Sequence, residues 1–411
     1  VSTQSTGIEQ MIALIMLVAE EIPADLDCHT AFVKFQVKYE KKYDTEEQRA
    51  KASDIFCKRY TQLKTLQDTC PECEVTSVYD LPDSFLIQPK MKQLSHSNFF
   101  QNAVGAVDCN SVWCYATNPI PNLATLPKSA DFRELGLTGV AKNQGSCGSC
   151  WAFGTVATLE ACFLRGKKFY KAPWAFKAAN VAVSEQFVLQ NCRGFNQYCN
   201  GGQGPIALWQ LSSQQKTVEL TNNFPYNPTA ANNKAIAPKV STAQYMKPFV
   251  EYPVKQIATQ TTGAVMLYLD SSKPFNAATI TTIKSYLARG FPVLSTMYVG
   301  RDQNTFMSYK GTTSFGVAQK CQTYNMDHQV TFVGYGFKGG KAVWILKNSW
   351  GPSWGASGFF YAEIGTNTFC IEHYAFGVVP KYVTIDKTAY KADGDVALVI
   401  ARGSATGIDK D

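Results

Sequence analysis

Gln144-Gly-Ser-Cys147-Gly-Ser-Cys150-Trp-Ala152 is the stretch whose reading decides the fold. Two Gly-Ser steps give way at Cys150 to Trp151-Ala-Phe-Gly-Thr-Val-Ala-Thr-Leu-Glu160, a run with apolar residues at helical spacing. No proline interrupts it before Pro173, and Gly166 offers a C-cap, so a helix from Cys150 to about Gly166 is expected. A thiol at a helix N-terminus is chemically primed. The helix dipole and the unpaired N–H groups of the first turn favour the thiolate, which is the nucleophilic form.

Cleaving an amide with a thiol needs a base, a group that orients the base, and donors for the developing oxyanion. The chain has four histidines, His29, His96, His328 and His373. His328 lies in Asn325-Met-Asp-His-Gln-Val-Thr-Phe-Val-Gly-Tyr-Gly336, where a polar entry runs into a mostly apolar strand, and it is the candidate base. Asn348, in Val343-Trp-Ile-Leu-Lys-Asn-Ser-Trp-Gly351, is the candidate orienter: its amide oxygen can accept from the imidazolium while Trp350 covers the bond from water. Gln144, six residues before the thiol, can offer a side-chain N–H to the oxyanion, and the backbone N–H of Cys150 a second one.

These three segments, in this order, resemble the papain/cathepsin family of cysteine proteases over about residues 126–380. The resemblance assigns the same roles to Gln144, Cys150, His328 and Asn348. It implies an α+β, papain-like two-lobe fold: a helical lobe carrying Cys150 and a β-barrel-like lobe carrying His328 and Asn348. The implied activity is peptide hydrolysis through a thioester, with protein or peptide substrates and no cofactor or metal. In that family the pair Gly201-Gly202 lets the substrate backbone lie against the cleft wall, and glycine suits such an approach because it has no side chain. Gln203, Thr296, Met326 and Ala375 would line the pocket for the residue two before the cut (P2). With Ala375 at its base the pocket is uncharged, which implies Leu, Phe or Val there.

Thirteen cysteines among 411 residues point to an oxidising route, either secretory and lysosome- or vacuole-like, or extracellular. The resemblance implies the pairs Cys147–Cys199 and Cys321–Cys370. The family partner of Cys192 is missing after Phe224-Pro-Tyr226, and Cys162 or a cysteine nearer the N-terminus is the substitute to consider. Cys109 and Cys114 suggest a local loop, and Cys28, Cys57, Cys70 and Cys73 suggest staples of unassigned connectivity. Cys70-Pro-Glu-Cys73 has no second Cys-X-X-Cys at zinc-site spacing, so zinc is not expected. A net charge of +7 without a long Lys/Arg run does not call for nucleic acid.

The rest of the chain divides around this core. Residues 1–25 form an N-terminal extension. Its apolar Met11–Ala19 is too short to span a bilayer as a helix and follows Glu9 rather than a basic region; it reads as a signal-sequence remnant or a helix packed on the next segment. Within residues 26–85, the stretch from 26 to about 68 reads as two helices. Phe32, Phe35 and Tyr39 form a stripe on the first, and Tyr43-Asp44-Thr45 turns and caps the second. In the second, Glu47, Lys51, Ile55, Arg59, Leu63 and Gln67 fall four apart. That spacing resembles the Glu-Arg-Phe-Asn-Ile-Asn motif of cathepsin L-type propeptides, which implies an inhibitory propeptide and a zymogen. Residues 86–125 would be a connector across the cleft, with processing near 115–127, and 381–411 a C-terminal extension. Lys167–Trp174, part of the Gly202–Pro292 span, and Val396–Ala401 in the tail are extra to the family pattern. The alternatives to an endopeptidase are an exopeptidase variant and a propeptide-locked or catalytically silent protein with a binding role.

Overall fold

The computed structural model describes residues 21–83, 123–170, 182–193, 196–213, 218–222, 224–227, 264–268, 277–317, 326–373 and 375–378. The expectations for Met11–Ala19, the Cys109/Cys114 loop, the processing region and the C-terminal tail lie outside these residues.

Two helices open the chain, α1 (Cys28–Lys38) and α2 (Glu46–Gln67). Asp27 caps α1 by accepting from Thr30 N, and Thr45 caps α2 by accepting from Gln48 N, as the turn before Glu46 predicts. Phe32 and Phe35 on α1 meet Phe56 on α2 with ring centroids 5.4 and 4.8 Å apart, and Cys28–Cys57 staples the pair. The four-apart row drifts as it must on a 3.6-residue helix: Glu47 and Lys51 are exposed, while Arg59 and Leu63 are buried. A second disulfide, Cys70–Cys73, closes the turn that follows.

The helical lobe is built on α4 (Cys150–Tyr170), flanked by α5 (Glu185–Asn191) and α6 (Gly204–Ser213). A short β1 (Ala130–Asp131) and α3 (Phe132–Leu135) lead into it. The helix runs past Gly166 to Tyr170, so glycine is tolerated here as an interior residue rather than used as a C-cap. Trp151, Val156, Leu159, Val188, Leu189, Leu208 and Leu211 form the core of this lobe.

The second lobe is an antiparallel sheet made of β2 (Ala264–Tyr268), β3 (Val293–Met297), β4 (His328–Lys338), β5 (Lys341–Lys347), β6 (Phe359–Glu363) and β7 (Ala375–Val378), with β1 pairing β4. Its order is β2-β7-β3-β4-β5-β6, and among the described residues it stays open rather than closing into a barrel. Helices α7 (Ala277–Ala288) and α8 (Gln303–Met307) pack with it. Gly334 in β4 is obligatory, since a Cβ there would sit 2.2 Å from the Ala130 carbonyl where β1 crosses. β2 and α7 both fall within the Gly202–Pro292 span, so part of that span belongs to the sheet and its packing. No helix among the described residues is long and apolar enough to cross a membrane.

Candidate active site

The loop before α4 is fixed at both ends. Gln144 N donates to Ser349 O at 2.9 Å and Gly148 N to Cys199 O at 3.0 Å, while the Cys147–Cys199 disulfide holds the middle. Gly145 takes a left-handed φ of 55°, which favours glycine. The first turn of α4 begins with Ala152 N and Phe153 N both donating to Ser149 O, and this leaves Cys150 as the first helical residue. Cys150 is fully buried.

His328 is the first residue of β4, and its Nε2 lies 2.8 Å from Asn348 Oδ1. An amide oxygen only accepts, so Nε2 carries the proton and Nδ1 is left as the basic nitrogen. Nδ1 is buried and makes no hydrogen bond. Asn348 is held in turn by Ser349 N on its Oδ1 at 2.8 Å and by its own backbone N–H on Gly358 O at 3.0 Å. Trp350 packs 5.3 Å from the His328 ring, with Phe306 at 6.3 Å on another side. Burial pulls the imidazole down to about 4 against the raising effect of the Asn348 bond, so the ring is neutral in this covered form. Its neighbour Asp327 accepts from Val299 N and Gly300 N, yet burial still pushes its carboxyl up to about 7.

Gln144 is also buried. Ser349 Oγ donates to its Oε1 at 2.5 Å, and its Nε2 donates to Cys147 O at 2.9 Å. This orientation turns the amide nitrogen toward the loop that carries Cys150. Tyr226 is a site residue that the motifs do not reveal. Its hydroxyl donates to Gln144 O at 2.7 Å and lies 2.8 Å from Ser149 Oγ, so it ties the two ends of the Gln144–Ser149 loop together.

The expected substrate-pocket residues are all buried. Gly201 has φ 109°, a region closed to most side chains. At Gly202 a Cβ would sit 2.8 Å from the Trp151 ring and 2.7 Å from Asn196 Oδ1, so internal packing alone already requires glycine there. Gln203 N donates to Asn196 Oδ1. Thr296 on β3 and Ala375 on β7 lie on adjacent paired strands, and Met326 packs in the cluster that includes Leu294 and Phe376. A further residue, Gln329, reaches Thr296 and Gly204 from β4.

Of the expected disulfides, Cys147–Cys199 is present. Cys370 is disulfide-bonded, while Cys321 lies outside the described residues. Cys192 does not form a disulfide with Cys162 or with an N-terminal cysteine. Both are buried thiols, and burial pushes the Cys162 thiol up to about 12, the mark of an inert packing residue.

A thiol at the head of α4 and an imidazole at the head of β4, the latter held by an amide oxygen, are the groups that thiol-based acyl transfer requires. Residues 126–379 match the model described as papain family cysteine protease, and the chain belongs to that family. Among relatives, it is 29% identical over 255 residues to cysteine proteinase B of Leishmania mexicana, covering 62% of this chain and 48% of that protein. It is 25% identical over 338 residues to pro-cathepsin H of Medicago truncatula, covering 82% of each. The chain thus spans about half the length of the Leishmania relatives it matches. Among solved structures, recombinant stem bromelain precursor superposes with a TM-score of 0.58 at 20% identity, over 86% of this chain and 98% of that one. Digestive procathepsin L 3 of Tenebrio molitor does so with 0.55 at 19% identity, over 86% and 100%.

Proposed function

We propose that this chain is the precursor of a cysteine endopeptidase, held inactive by its own N-terminal helical segment. The observation that carries the reading is the 2.8 Å contact between His328 Nε2 and Asn348 Oδ1, which leaves Nδ1 as the base. The chemistry follows from the groups present. The Cys150 thiol gives its proton to His328 Nδ1, and the thiolate adds to the peptide carbonyl. The Gln144 side chain and the Cys150 N–H stabilise the oxyanion. His328 then protonates the departing amine, leaving a thioester. Water, losing a proton to His328, hydrolyses the thioester and restores the thiol.

Residues 26–85 are the inhibitory propeptide, 86–125 its connector across the cleft, 126–380 the catalytic domain, and 1–25 and 381–411 extensions. The propeptide reading is supported by the contact of residues 72–79 with the loop after α8. There Glu74 N donates to Ser308 O at 3.1 Å, Thr76 Oγ1 to Met307 O at 2.6 Å, and the Tyr79 hydroxyl lies 2.7 Å from Ser308 Oγ. Ala375 leaves the P2 pocket without a charged base, which favours an apolar P2 residue. The cysteine usage supports a secretory route to an acidic vacuole or to the exterior, where the propeptide would be removed.

The test is to label the full chain with a thiol-directed epoxide before and after acid incubation, with N-terminal sequencing of the product. Labelling confined to Cys150 and appearing after loss of the first ~120 residues, with cleavage of internal bonds in a peptide library, is the expected result. The absence of labelling in both states would overturn the reading, and release of terminal residues alone would make it an exopeptidase.

A further inference from the structure

The segment that leads into β1 is fixed to the second lobe at successive points. Leu123 N donates to Ser285 Oγ on α7 at 3.1 Å. The Tyr335 hydroxyl of β4 donates to Pro127 O at 3.0 Å, and Ala130 then pairs with Tyr335 across the β1–β4 ladder. The Leu123 side chain is buried in the core that includes Ile283 and Leu287 of α7, and Leu126 packs against the same core. Between these two leucines only Ala124 and Thr125 are exposed.

Ser285 is wholly buried on α7, where Ile283 and Leu287 are apolar. A hydroxyl in such a place costs free energy unless it is hydrogen-bonded, and the Leu123 N–H supplies a partner. The family match starts at residue 126, so Leu123 and its bond to Ser285 lie before the part of the chain that the family pattern describes. Neither residue stands out in the sequence. Leu123 is a single apolar residue in Pro121-Asn-Leu-Ala-Thr125, and Ser285 is an ordinary helix serine until the two meet.

This anchoring bears on where the chain can be cut. Hydrolysis adds water across a peptide bond, the hydroxyl completing a carboxyl on the departing piece and the hydrogen an amine on the retained one. At the bond before Leu123, that amine would be the nitrogen now bonded to Ser285. Its ammonium form would be buried with a neutral hydroxyl for a partner, which is costly. At any bond from Leu123 to Pro127, the cut would detach the Leu123 side chain from the core that holds it. An endopeptidase must also draw several residues through its cleft in extended form, and two exposed residues between anchored leucines do not supply them.

We infer that the catalytic domain begins upstream of Leu123, and that Leu123–Pro127 stays with it after maturation as a strap along α7. This rests on the precursor reading and moves the domain boundary proposed there toward the N-terminus.

Two arms test it. Wild type is matured in acid and its products are identified by N-terminal sequencing and intact mass. The full chain carrying Cys150→Ser, which cannot process itself, is digested with subtilisin under native conditions. In both arms the products that contain α4 are expected to begin before Leu123. Ser285→Ala removes the acceptor while keeping a good helix former in α7, and Leu123→Ala removes the buried side chain. Either variant is expected to admit products that begin within residues 124–127. Matured Leu123→Ala is expected to melt roughly 4–8 °C below wild type. Wild-type products that begin at Leu123 or later would overturn the inference, as would variants that are cut and melt as wild type does. Should wild type neither mature nor label with the epoxide, the peptidase reading falls, and the subtilisin arm still decides whether Leu123 belongs to the protected domain.

Discussion

Asn348 accepts the hydrogen bond that decides which nitrogen of His328 carries the proton, and so, on the proposed mechanism, which nitrogen would take the proton of Cys150. Asn348→Ala removes that choice and lets the ring turn. The expected outcome is a fall in kcat of roughly 10–100-fold with KM little changed, about 1.4–2.8 kcal/mol at the transition state, measured on the matured enzyme. Asp327 offers a second test through pH. Its folded pKa, about 7, lies above the ordinary carboxylate value of 3.8. The stability it contributes is therefore complete below about pH 3.8 and is lost as pH rises through about 7. The substitution Asp327→Asn puts an amide there, which does not titrate and carries no such dependence. The melting temperature of Asp327→Asn relative to wild type should climb between pH 4 and pH 7 and then level off. A difference of roughly 2 kcal/mol corresponds to about 4–8 °C for a domain of this size, and a flat difference across that range would refute the assignment. The residues proposed to do chemistry were legible as candidates because each sits in a local motif: Cys150 behind its Gly-Ser steps, His328 at a strand entry, Asn348 before Ser349-Trp350. Tyr226 and Gln329 were not. They act through bonds to Gln144 and Ser149, and to Gly204 and Thr296, that span 33 to 125 residues. No local pattern encodes such bonds.

Between helices, the segment proposed as the inhibitor depends on one buried cation more than on its surface charges. Arg59 of α2 donates from one nitrogen to Val78 O at 2.9 Å and Tyr79 O at 2.8 Å, and pairs with Asp83 through the other. It thereby folds residues 78–83 back onto the helix and presents residues 74–79 to the loop around Ser308. Lys310, by contrast, bridges Glu21 at 2.5 Å and Glu74 at 2.9 Å with all three side chains partly or largely exposed. Exposed pairs are screened and contribute about 0–1 kcal/mol, whereas hydrogen bonds from a charged, buried donor contribute about 1.5–3 kcal/mol. Arg59→Ala should speed epoxide labelling of Cys150 in the unprocessed chain at neutral pH by about tenfold or more. Lys310→Ala should change it less than about threefold. Equal effects would show that surface charge, not the folded-back segment, holds the inhibitor in place. The two helices and the Thr45 cap were legible because Thr45 and the aromatic stripe are local signals. The end of α4 was not, since Gly166 reads as a stop only until packing overrides its propensity. β2 was hidden as well: Ala264–Tyr268 is one short apolar run, and only its pairing with β7 makes it part of the sheet.

Across the whole molecule the two lobes meet at a small set of charges directly behind the site, three of them buried and the fourth, Lys142, half-buried. Lys142 precedes α4, Glu160 lies within it, Glu185 begins α5, and Lys347 ends β5 next to Asn348. Lys142 Nζ reaches Glu160 at 2.8 Å, Glu185 at 2.7 Å and the Val183 carbonyl at 2.7 Å. Burial lowers the Lys347 pKa and raises that of Glu185, with Lys142 the main opposing influence on the latter. Two lysines and two glutamates balance, and this balance lets charge sit inside a seam otherwise closed by Phe153, Gly154 and Ala157. The motif order was enough to foresee two lobes, but not this seam, because its four charged residues come from segments that meet only after folding. Lys142→Met keeps the length of the stem and removes the charge. Glu160 and Glu185 would then face Lys347 alone, and stripping one partner from a buried set typically destabilises by about 3–5 kcal/mol. Glu185, whose carboxyl burial already pushes upward, gains most by taking a proton once Lys142 is gone. The deficit measured by urea unfolding should therefore be largest near pH 7.5 and shrink toward pH 4.5. Replacing Glu185 by Gln in the same chain should recover part of the loss at pH 7.5 and little at pH 4.5. A deficit independent of pH, or one that Glu185→Gln deepens, would mean that lost packing around the lysine stem, and not unbalanced charge, weakens the seam.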